Sequence, residues 1–153
     1  MRLLKWAGLE KRLKRSKLQI ISRAKKELVK KGLLVVEDSL HGKVMRITEL
    51  GKSALERELL IAKRVDTKWD GKWRVIIFDI PEKRKLTRDK LRYSLVSVGF
   101  IKIQNSVWVY PHPCENLISL LKADFKIGKD VLYLIVDQLE GDSYLQEQFN
   151  LKK

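Results

Sequence analysis

Residues 69–110 read WDGKWRVIIFDIPEKRKLTRDKLRYSLVSVGFIKIQNSVWVY, and they decide the fold of the chain. Within this stretch, residues 73–80 are hydrophobic with almost no polar interruption, which is typical of a buried strand. Pro81 lacks the N–H that a central strand needs, so the strand is expected to end there. The pattern therefore predicts a strand with one carboxylate, Asp79, close to its end.

A helix is predicted over residues 85–98, because Leu91, Leu95 and Val98 recur at helical spacing and Gly99 follows as a C-terminal cap. Three arginines form a row at positions i, i+4 and i+8: Arg84, Arg88 and Arg92. We interpret this row as a solvated face of the helix. Contacts between the arginines and nucleic-acid phosphates are the alternative.

The residues that follow complete the same domain. Residues 101–104 and 107–110 are predicted to be short strands, and residues 131–136 a last buried strand. Between them, Pro113 is expected in the first turn of a helix whose inward residues are Leu117, Leu120 and Leu121. The order β-α-β-β-α-β predicts a ferredoxin-like fold. A short amphipathic helix or docking arm is expected over residues 142–149, with an apolar side formed by Tyr144, Leu145 and Phe149.

The charge of the chain is concentrated in its first half. The 153 residues hold 33 Lys and Arg against 19 Asp and Glu, a net charge of +14, which favours phosphate polymers or anionic membrane surfaces as partners. Residues 1–68 contain 19 basic and 8 acidic residues, whereas residues 69–153 contain 14 and 11. A partner of negative charge is therefore expected to contact the N-terminal half.

Cysteine usage and the N-terminal sequence exclude several classes of protein. With Cys114 as the single cysteine, no disulfide within the chain is possible, and no Cys/His set has zinc-site spacing. The first fifteen residues are too short and too charged for a signal peptide or a membrane span. We expect a cytoplasmic protein with no membrane partner and no cofactor.

A basic amphipathic helix is predicted near the N-terminus. A short helix over residues 1–14 precedes the capping box formed by Ser16 and Gln19, which starts a second helix that should run to Lys31 and end at Gly32. One side of this second helix is apolar: Ile21, Ala24 and Leu28. The opposite side is basic and polar: Gln19, Arg23, Lys26 and Lys30.

A hairpin and another helix follow. Residues 33–36 and 44–47 are predicted strands around a polar tip over residues 37–43. Residues 48–52 open a helix with Leu50, Ala54, Leu55 and Leu59 inward. This order resembles the second half of a winged helix-turn-helix domain, although only about fifteen residues precede Ser16. Either the first helix is missing or shortened, or a partner chain covers the exposed core.

The winged-helix resemblance implies a set of residues that contact double-stranded DNA. The capped helix enters the major groove and the hairpin tip contacts the backbone in such domains. The candidates for contact with base edges are Gln19, Ser22, Arg23 and Lys26. The candidates for contact with phosphates are Lys17, Lys30, His41 and Lys43, although we interpret His41 as an ordinary turn residue rather than a ligand.

The fold class predicted for the whole chain is therefore α+β, in two domains. A partial winged helix-turn-helix domain is expected over residues 1–64 and a linker over residues 65–71. A ferredoxin-like dimerisation domain with a C-terminal arm is expected over residues 72–153. Asp70-Gly71 is a turn dipeptide that marks the boundary.

Two related families share motifs with this sequence. The strand end FDI at 78–80, the GF at 99–100 and the QNSVWV at 104–109 resemble the small CRISPR adaptation protein, a ferredoxin-like dimer known as a metal-dependent nuclease or as a structural partner of the integrase. The phrase WDGKWRVIIFDIPE at 69–82, followed by Arg88, Leu91, Arg92 and SVWVYP at 106–111, is more similar to the central domain of PaaX-type transcriptional repressors.

The repressor resemblance implies a homodimeric, sequence-specific DNA-binding regulator on a roughly palindromic site. The other resemblance implies an endonuclease in which Asp79 from two subunits holds Mg²⁺ or Mn²⁺, with Glu82 and Ser106 near the same cleft. The alternative, which we prefer, is that Asp79 accepts backbone hydrogen bonds at the strand end or in a dimer seam. A third hypothesis is an architectural protein that holds nucleic acid for a CRISPR integrase. His112 and Cys114 lie in one Pro-flanked turn without a third ligand, so neither predicts metal or thiol catalysis.

Overall fold

The computed structural model describes residues 21–62 and 68–151. In chain order the elements are α1 (residues 21–30), β1 (Leu34–Ser39), β2 (Gly42–Ile47), α2 (Glu49–Ala62), β3 (Trp73–Phe78), a 3-10 turn (Glu82–Arg84), α3 (Lys85–Val98), β4 (Ile101–Gln104), β5 (Val107–Tyr110), α4 (Glu115–Asp124), β6 (Val131–Val136) and α5 (Ser143–Gln148). The predicted helix over residues 1–14 and the capping box at Ser16 and Gln19 lie outside the described residues.

The four strands β3 to β6 form one antiparallel sheet in the order β4-β5-β3-β6. Each β-α-β unit leaves room for a strand of the other unit between its own two strands, which confirms the predicted β-α-β-β-α-β arrangement. Strand β3 is central and ends at Phe78, two residues earlier than predicted. The Asp79 N–H still donates to the Asp130 carbonyl oxygen at 2.9 Å, so pairing with the β6 side continues just past the strand.

The two faces of this sheet pack against different elements. Ile76, Phe78 and Trp108 face the helices and share a core with the buried faces of α3 and α4. On the other face, Trp73, Val75 and Val109 pack with Leu145 of α5. The predicted C-terminal helix is therefore confirmed as a cover on this second face. Its predicted apolar side was wrong at Tyr144, which is 61% exposed because it points away from the cluster around Leu145.

The C-terminal end of α3 and the start of α4 test the predictions made from Gly99 and Pro113. Gly99 adopts a φ of 104°, and its N–H donates to the carbonyl oxygens of Leu95 and Val96, so the predicted glycine cap is confirmed. Helix α4 begins at Glu115 with Cys114 as its N-cap. Pro113 therefore lies ahead of the first turn of α4, and its predicted position within that turn was wrong.

The hairpin β1-β2 is longer than the sequence predicted. Glu37 pairs with Val44 and Asp38 with Lys43 in the ladder, so the tip is only Leu40 and His41 and the predicted tip over residues 37–43 was wrong. Polar residues are accommodated in these strands because the hairpin is two-stranded and mostly exposed, and Glu37 forms an ion pair with Arg46.

The join between the hairpin and α2 depends on a close approach. The Thr48 hydroxyl donates to the Gly32 carbonyl oxygen at 2.7 Å and accepts from the Gly51 N–H at 3.0 Å. A Cβ on Gly51 would lie 2.1 Å from the Leu33 carbonyl oxygen, so only glycine fits there. Leu55 is buried as predicted, but Leu50 is 55% exposed, so its predicted inward position was wrong. Leu50 lies in the first turn of α2, ahead of the part of the helix that meets the core.

Helix α4 lies between the sheet and the N-terminal elements. It contacts α2 and β2, and Leu28, Leu34 and Leu55 belong to the same hydrophobic cluster as the buried residues of α3 and α4. The proposed boundary at residues 65–71 lies partly outside the described residues. The division into domains at 1–64 and 72–153 stays a prediction.

Candidate nucleic-acid interface

The exposed side of α1 carries three cations without partners. Arg23, Lys26 and Lys30 are exposed, whereas Ala24 and Leu28 on the other side are buried. Among the described residues none of the three cations forms an ion pair or a side-chain hydrogen bond. Ser22, predicted to reach base edges, is half-buried. Lys17 and Gln19, the other predicted residues of this region, lie outside the described part of the chain.

Gly32 ends α1 and directs the chain into the hairpin. Its φ of 71° is the left-handed conformation that favours glycine, and the Gly32 N–H donates to the Val29 carbonyl oxygen at 2.9 Å. This turn places the predicted phosphate contacts His41 and Lys43 at and beside the hairpin tip, where both are exposed. Lys43 faces Asp38 across the ladder.

The hairpin is close to neutral in charge. Glu37 and Asp38 on β1 balance Lys43 and Arg46 on β2, and Arg46 is held by Glu37. Within residues 21–62, the cations without partners are therefore found mainly on α1.

The side chains of the three arginines at α3 bind acceptors within the domain. Arg84 lies in the 3-10 turn before α3 and donates to the carbonyl oxygens of Phe125 at 2.7 Å and Lys126 at 3.0 Å. Arg88 is paired with Glu82 at 2.8 Å and its side chain is only 19% exposed. Arg92 pairs with Asp89 and lies over the ring of Phe78.

These contacts correct the interpretation of the arginine row as a solvated face. Internal acceptors lie within reach of the guanidinium groups, so the side chains fold back onto the domain. The phosphate contacts suggested for Arg84, Arg88 and Arg92 stay a prediction, and such contacts would have to displace these bonds.

Asp79 stands exposed just past the end of β3. The neighbouring Phe78 N–H donates to the Ser106 carbonyl oxygen at 3.1 Å, which places the backbone of Ser106 beside this strand end. Within residues 21–62 and 68–151, the Asp79 carboxylate has no hydrogen-bond or ion-pair partner, and no three His, Cys, Asp or Glu side chains are grouped to hold a metal ion. A metal at Asp79 would need ligands from outside this part of the chain.

An ion pair between a buried arginine and an exposed aspartate beside the sheet was not predicted from the sequence. Arg74 on β3 is 3% exposed, and its guanidinium donates to both carboxylate oxygens of Asp70, at 2.7 and 2.6 Å, and to the Pro111 carbonyl oxygen at 3.0 Å. Hydrogen bonds from Arg74 lower the pKa of Asp70. Burial opposes the charge of Arg74, but Asp70 outweighs it and raises the pKa of the guanidinium. The sequence signal for this ion pair was D-G-K-W-R at residues 70–74, which places an acid just before the strand and a base within it.

Cys114 is inert in this setting. Burial raises the pKa of its thiol to about 12, so it stays protonated at neutral pH. The Tyr133 hydroxyl, 3.8 Å from the Cys114 sulfur, donates to Glu115 at 2.9 Å. Nearby, burial lowers the pKa of His112.

The fold and its exposed residues place the chain in a class of α+β proteins that contain a Cas2-like domain. Residues 66–147 match the family model of the PaaX protein central Cas2-like domain, and the chain belongs to this family. The comparison with curated proteins finds no match. Among the described residues, no helix is long and apolar enough to cross a bilayer.

Proposed function

We propose that this protein is a transcriptional regulator that binds a specific sequence in double-stranded DNA as a homodimer. Its membership of the PaaX family supports a role in transcription. The observation that carries the proposal is the exposed face of α1, where Arg23, Lys26 and Lys30 have no partners in the part of the chain that the structure describes and lie opposite a buried apolar face.

The elements around α1 support a partial winged helix. Helix α1, the hairpin β1-β2 and α2 follow one another in the order expected after the first helices of such a domain. In this proposal α1 lies in the major groove, where the Arg23 guanidinium can bond guanine in a bidentate manner, and Lys26 and Lys30 lie near base edges and phosphates. Lys17 and Gln19, outside the described residues, stay predicted DNA contacts, and Lys43 would meet the DNA backbone from the hairpin.

The open face of the sheet is the proposed dimer contact. Leu132, Ile77 and Val107 are neighbours across β6, β3 and β5 and form an apolar row, in which Leu132 and Ile77 are exposed and Val107 is partly buried against the cluster around α5. Leu132 is 55% exposed. Pairing two such rows about a twofold axis would remove them from water and present two copies of α1 to two half-sites.

The DNA proposal is tested by selection from random duplexes with the wild type and with Arg23→Ala. The wild type should give a defined motif, and the variant should relax one base position of it, because one bidentate contact contributes roughly 1–3 kcal/mol of discrimination. Lys129→Ala is the control and should leave the motif unchanged. Lys129 is an exposed lysine that follows the C-terminal end of α4. No enriched motif from the wild type would reject base readout.

The dimer proposal is tested by sedimentation of the wild type and Leu132→Glu. The wild type should sediment as a dimer and the variant as a monomer, because the glutamate would place a charge in the apolar row. Leu86→Glu, a change at an exposed leucine on α3, should stay dimeric. A wild type that is monomeric at micromolar concentration would contradict the proposal.

The exposed carboxylate of Asp79 favours a second candidate function, a Mg²⁺-dependent endonuclease. In that function the Asp79 side chains of two subunits would share the ion, and a CRISPR integrase would be a partner. Incubation of DNA and RNA with protein and Mg²⁺ tests this candidate against Asp79→Ala. Cleavage that requires metal and is lost in the variant would replace the regulator proposal. An architectural protein would bind nucleic acid with weak sequence preference, recruit a second protein and be indifferent to the substitution.

A further inference from the structure

Helix α4 is buried on both of its long sides. At 100° per residue, Leu117 and Leu121 share one side of the helix, whereas Ile118 and Lys122 lie on the other. All four residues are buried. A helix that only covers a sheet keeps its outer side in water, so a second layer of the molecule must cover the side on which Ile118 lies.

The N-terminal elements form this second layer. Helix α4 contacts α2 and β2, and α2 also contacts α3. Leu55 of α2 and Leu34 of β1 are buried in the same hydrophobic cluster as Ile118. The hairpin and α2 therefore share one core with the helices that cover the sheet.

Helix α1 is held in the same core. Leu28 is 3% exposed and belongs to this cluster, and Ala24, one turn earlier, is also buried. Backbone bonds tie the end of α1 to the hairpin, because the Leu33 N–H donates to the Leu28 carbonyl oxygen at 2.9 Å and the Thr48 N–H donates to the Leu33 carbonyl oxygen at 3.1 Å. Close-packed cores have few alternative arrangements, so this packing gives α1 one position relative to the sheet.

We propose that this shared core fixes the separation of the two α1 helices in a dimer and thereby the spacing of the two DNA half-sites, with Ile118 as a positioning residue. The inference rests on the proposed function, which supplies the DNA and the twofold pairing. Each added base pair moves a half-site by about 3.4 Å along the duplex and by about 35° around it. Two rigidly held α1 helices fit one spacing, whereas two domains on flexible linkers accept several.

A longer connection between α2 and β3 separates packing from tethering. Gly-Gly-Ser is inserted after Val65, and affinity is measured for duplexes with two copies of the selected half-site, whose spacer increases by one base pair at a time over a full turn. The wild type and the insertion variant should share one optimum. Duplexes half a turn away should bind about a hundredfold more weakly, because the second half-site then contributes nothing. An insertion that moves or broadens the optimum would overturn the proposal.

Ile118→Ala in the insertion variant tests the packing itself. It should flatten the dependence on spacing and leave the affinity for a single half-site unchanged. Leu145→Ala is the matched control, because Leu145 is 6% exposed and packs on the other face of the sheet. This control should lower the Tm as well but keep the preference for one spacing. If the two variants give the same spacing preference, the proposal is wrong.

A distance measurement reads the position of α1 without DNA. Spin labels on Glu27→Cys in α1 and Lys102→Cys in β4, both exposed positions, are measured in labelled chains diluted with unlabelled protein. The distance distribution should be narrow with and without the insertion and should broaden when Ile118→Ala is added to the insertion. Cys114 is buried and should not react with the label.

The two measurements distinguish this proposal from the regulator proposal. A broad distance distribution in the wild type, or a selected motif bound equally at every spacing, would reject the fixed spacing and leave the regulator proposal standing. A wild type that binds no DNA would reject the regulator proposal, and the distance distribution would still decide whether the shared core fixes α1.

Discussion

Two rows of cations run along two helices, and their side chains end in different surroundings. On α1, Arg23, Lys26 and Lys30 are exposed and have no partner among the described residues. Around α3, the guanidinium groups of Arg84, Arg88 and Arg92 are bound to acceptors of the domain itself.

The difference comes from the acceptors that each row can reach. Helix α4 ends at Asp124, and the carbonyl groups that follow it have no partner within the helix. Arg84 donates to two of them, at Phe125 and Lys126, and so stabilises the negative end of the α4 dipole. Within residues 21–62 and 68–151, the exposed cations of α1 donate to no such carbonyl groups. A row of cations is thus a candidate for binding a polyanion when acceptors of the protein itself do not already bind its side chains.

The largest effect expected from this comparison is at the ion pair of the buried Arg74 with Asp70 in the sheet half. Asp70→Ala leaves the guanidinium of Arg74 buried with only carbonyl partners, which should lower the free energy of unfolding by about 3 kcal/mol. Urea denaturation measures this loss. Asp89→Ala removes the surface partner of Arg92 and should cost less than about 1 kcal/mol. Equal losses in the two variants would show that burial does not distinguish these pairs.

The same ion pair makes the free energy of unfolding depend on pH. Because Arg74 lowers the pKa of Asp70 in the folded protein, the pair contributes stability that is fully present above the unfolded pKa of about 3.9 and is lost as the pH falls through the lower folded value. Urea midpoints measured between neutral pH and pH 2 should therefore fall less steeply for Asp70→Asn than for the wild type. Parallel profiles would contradict this role of Asp70.

A smaller loss is expected at Arg84. Arg84→Gln removes the bonds to the end of α4 and the ion pair with Asp130, so the free energy of unfolding should fall by roughly 1–2 kcal/mol. DNA affinity should not change, since these bonds lie within the domain. Arg23→Ala should show the reverse, with weaker DNA binding and unchanged stability. If Arg84→Gln weakens DNA binding without loss of stability, the row on α3 contacts phosphate after all.

The sequence predicted the elements of the sheet half closely because each has a local signal. Strand β6 was predicted at its observed bounds from an unbroken apolar run, and α3 from three leucine and valine positions followed by a glycine. Near the N-terminus, the glycine that ends α1 and the start of α2 within residues 48–52 were equally visible. Such signals depend on residues that are close in sequence.

The features that were missed depend on residues that are distant in sequence. Arg84 reaches Phe125 across 41 positions and Arg74 reaches Pro111 across 37, so no local spacing indicates that their charges are already satisfied. Leu50 and Tyr144 fit an apolar helical face, yet the helices present them where no neighbour packs. The predicted DNA contacts depend mainly on α1, whose charge pattern was visible in the sequence. That its cations have no partner within residues 21–62 and 68–151 became clear only from the fold.

The smallest effect concerns a single phosphate contact on α1. Lys30→Ala should weaken binding to all DNA sequences alike and lower the slope of log affinity against log salt by about one, because one lysine releases about one counterion. Arg88→Gln is the matched change on α3 and should leave the slope unaltered, since Arg88 is occupied by Glu82. Titrations at several salt concentrations measure both slopes. If both slopes fall, the row at α3 exchanges its internal bonds for phosphate, and internal partners alone do not mark a cation as structural.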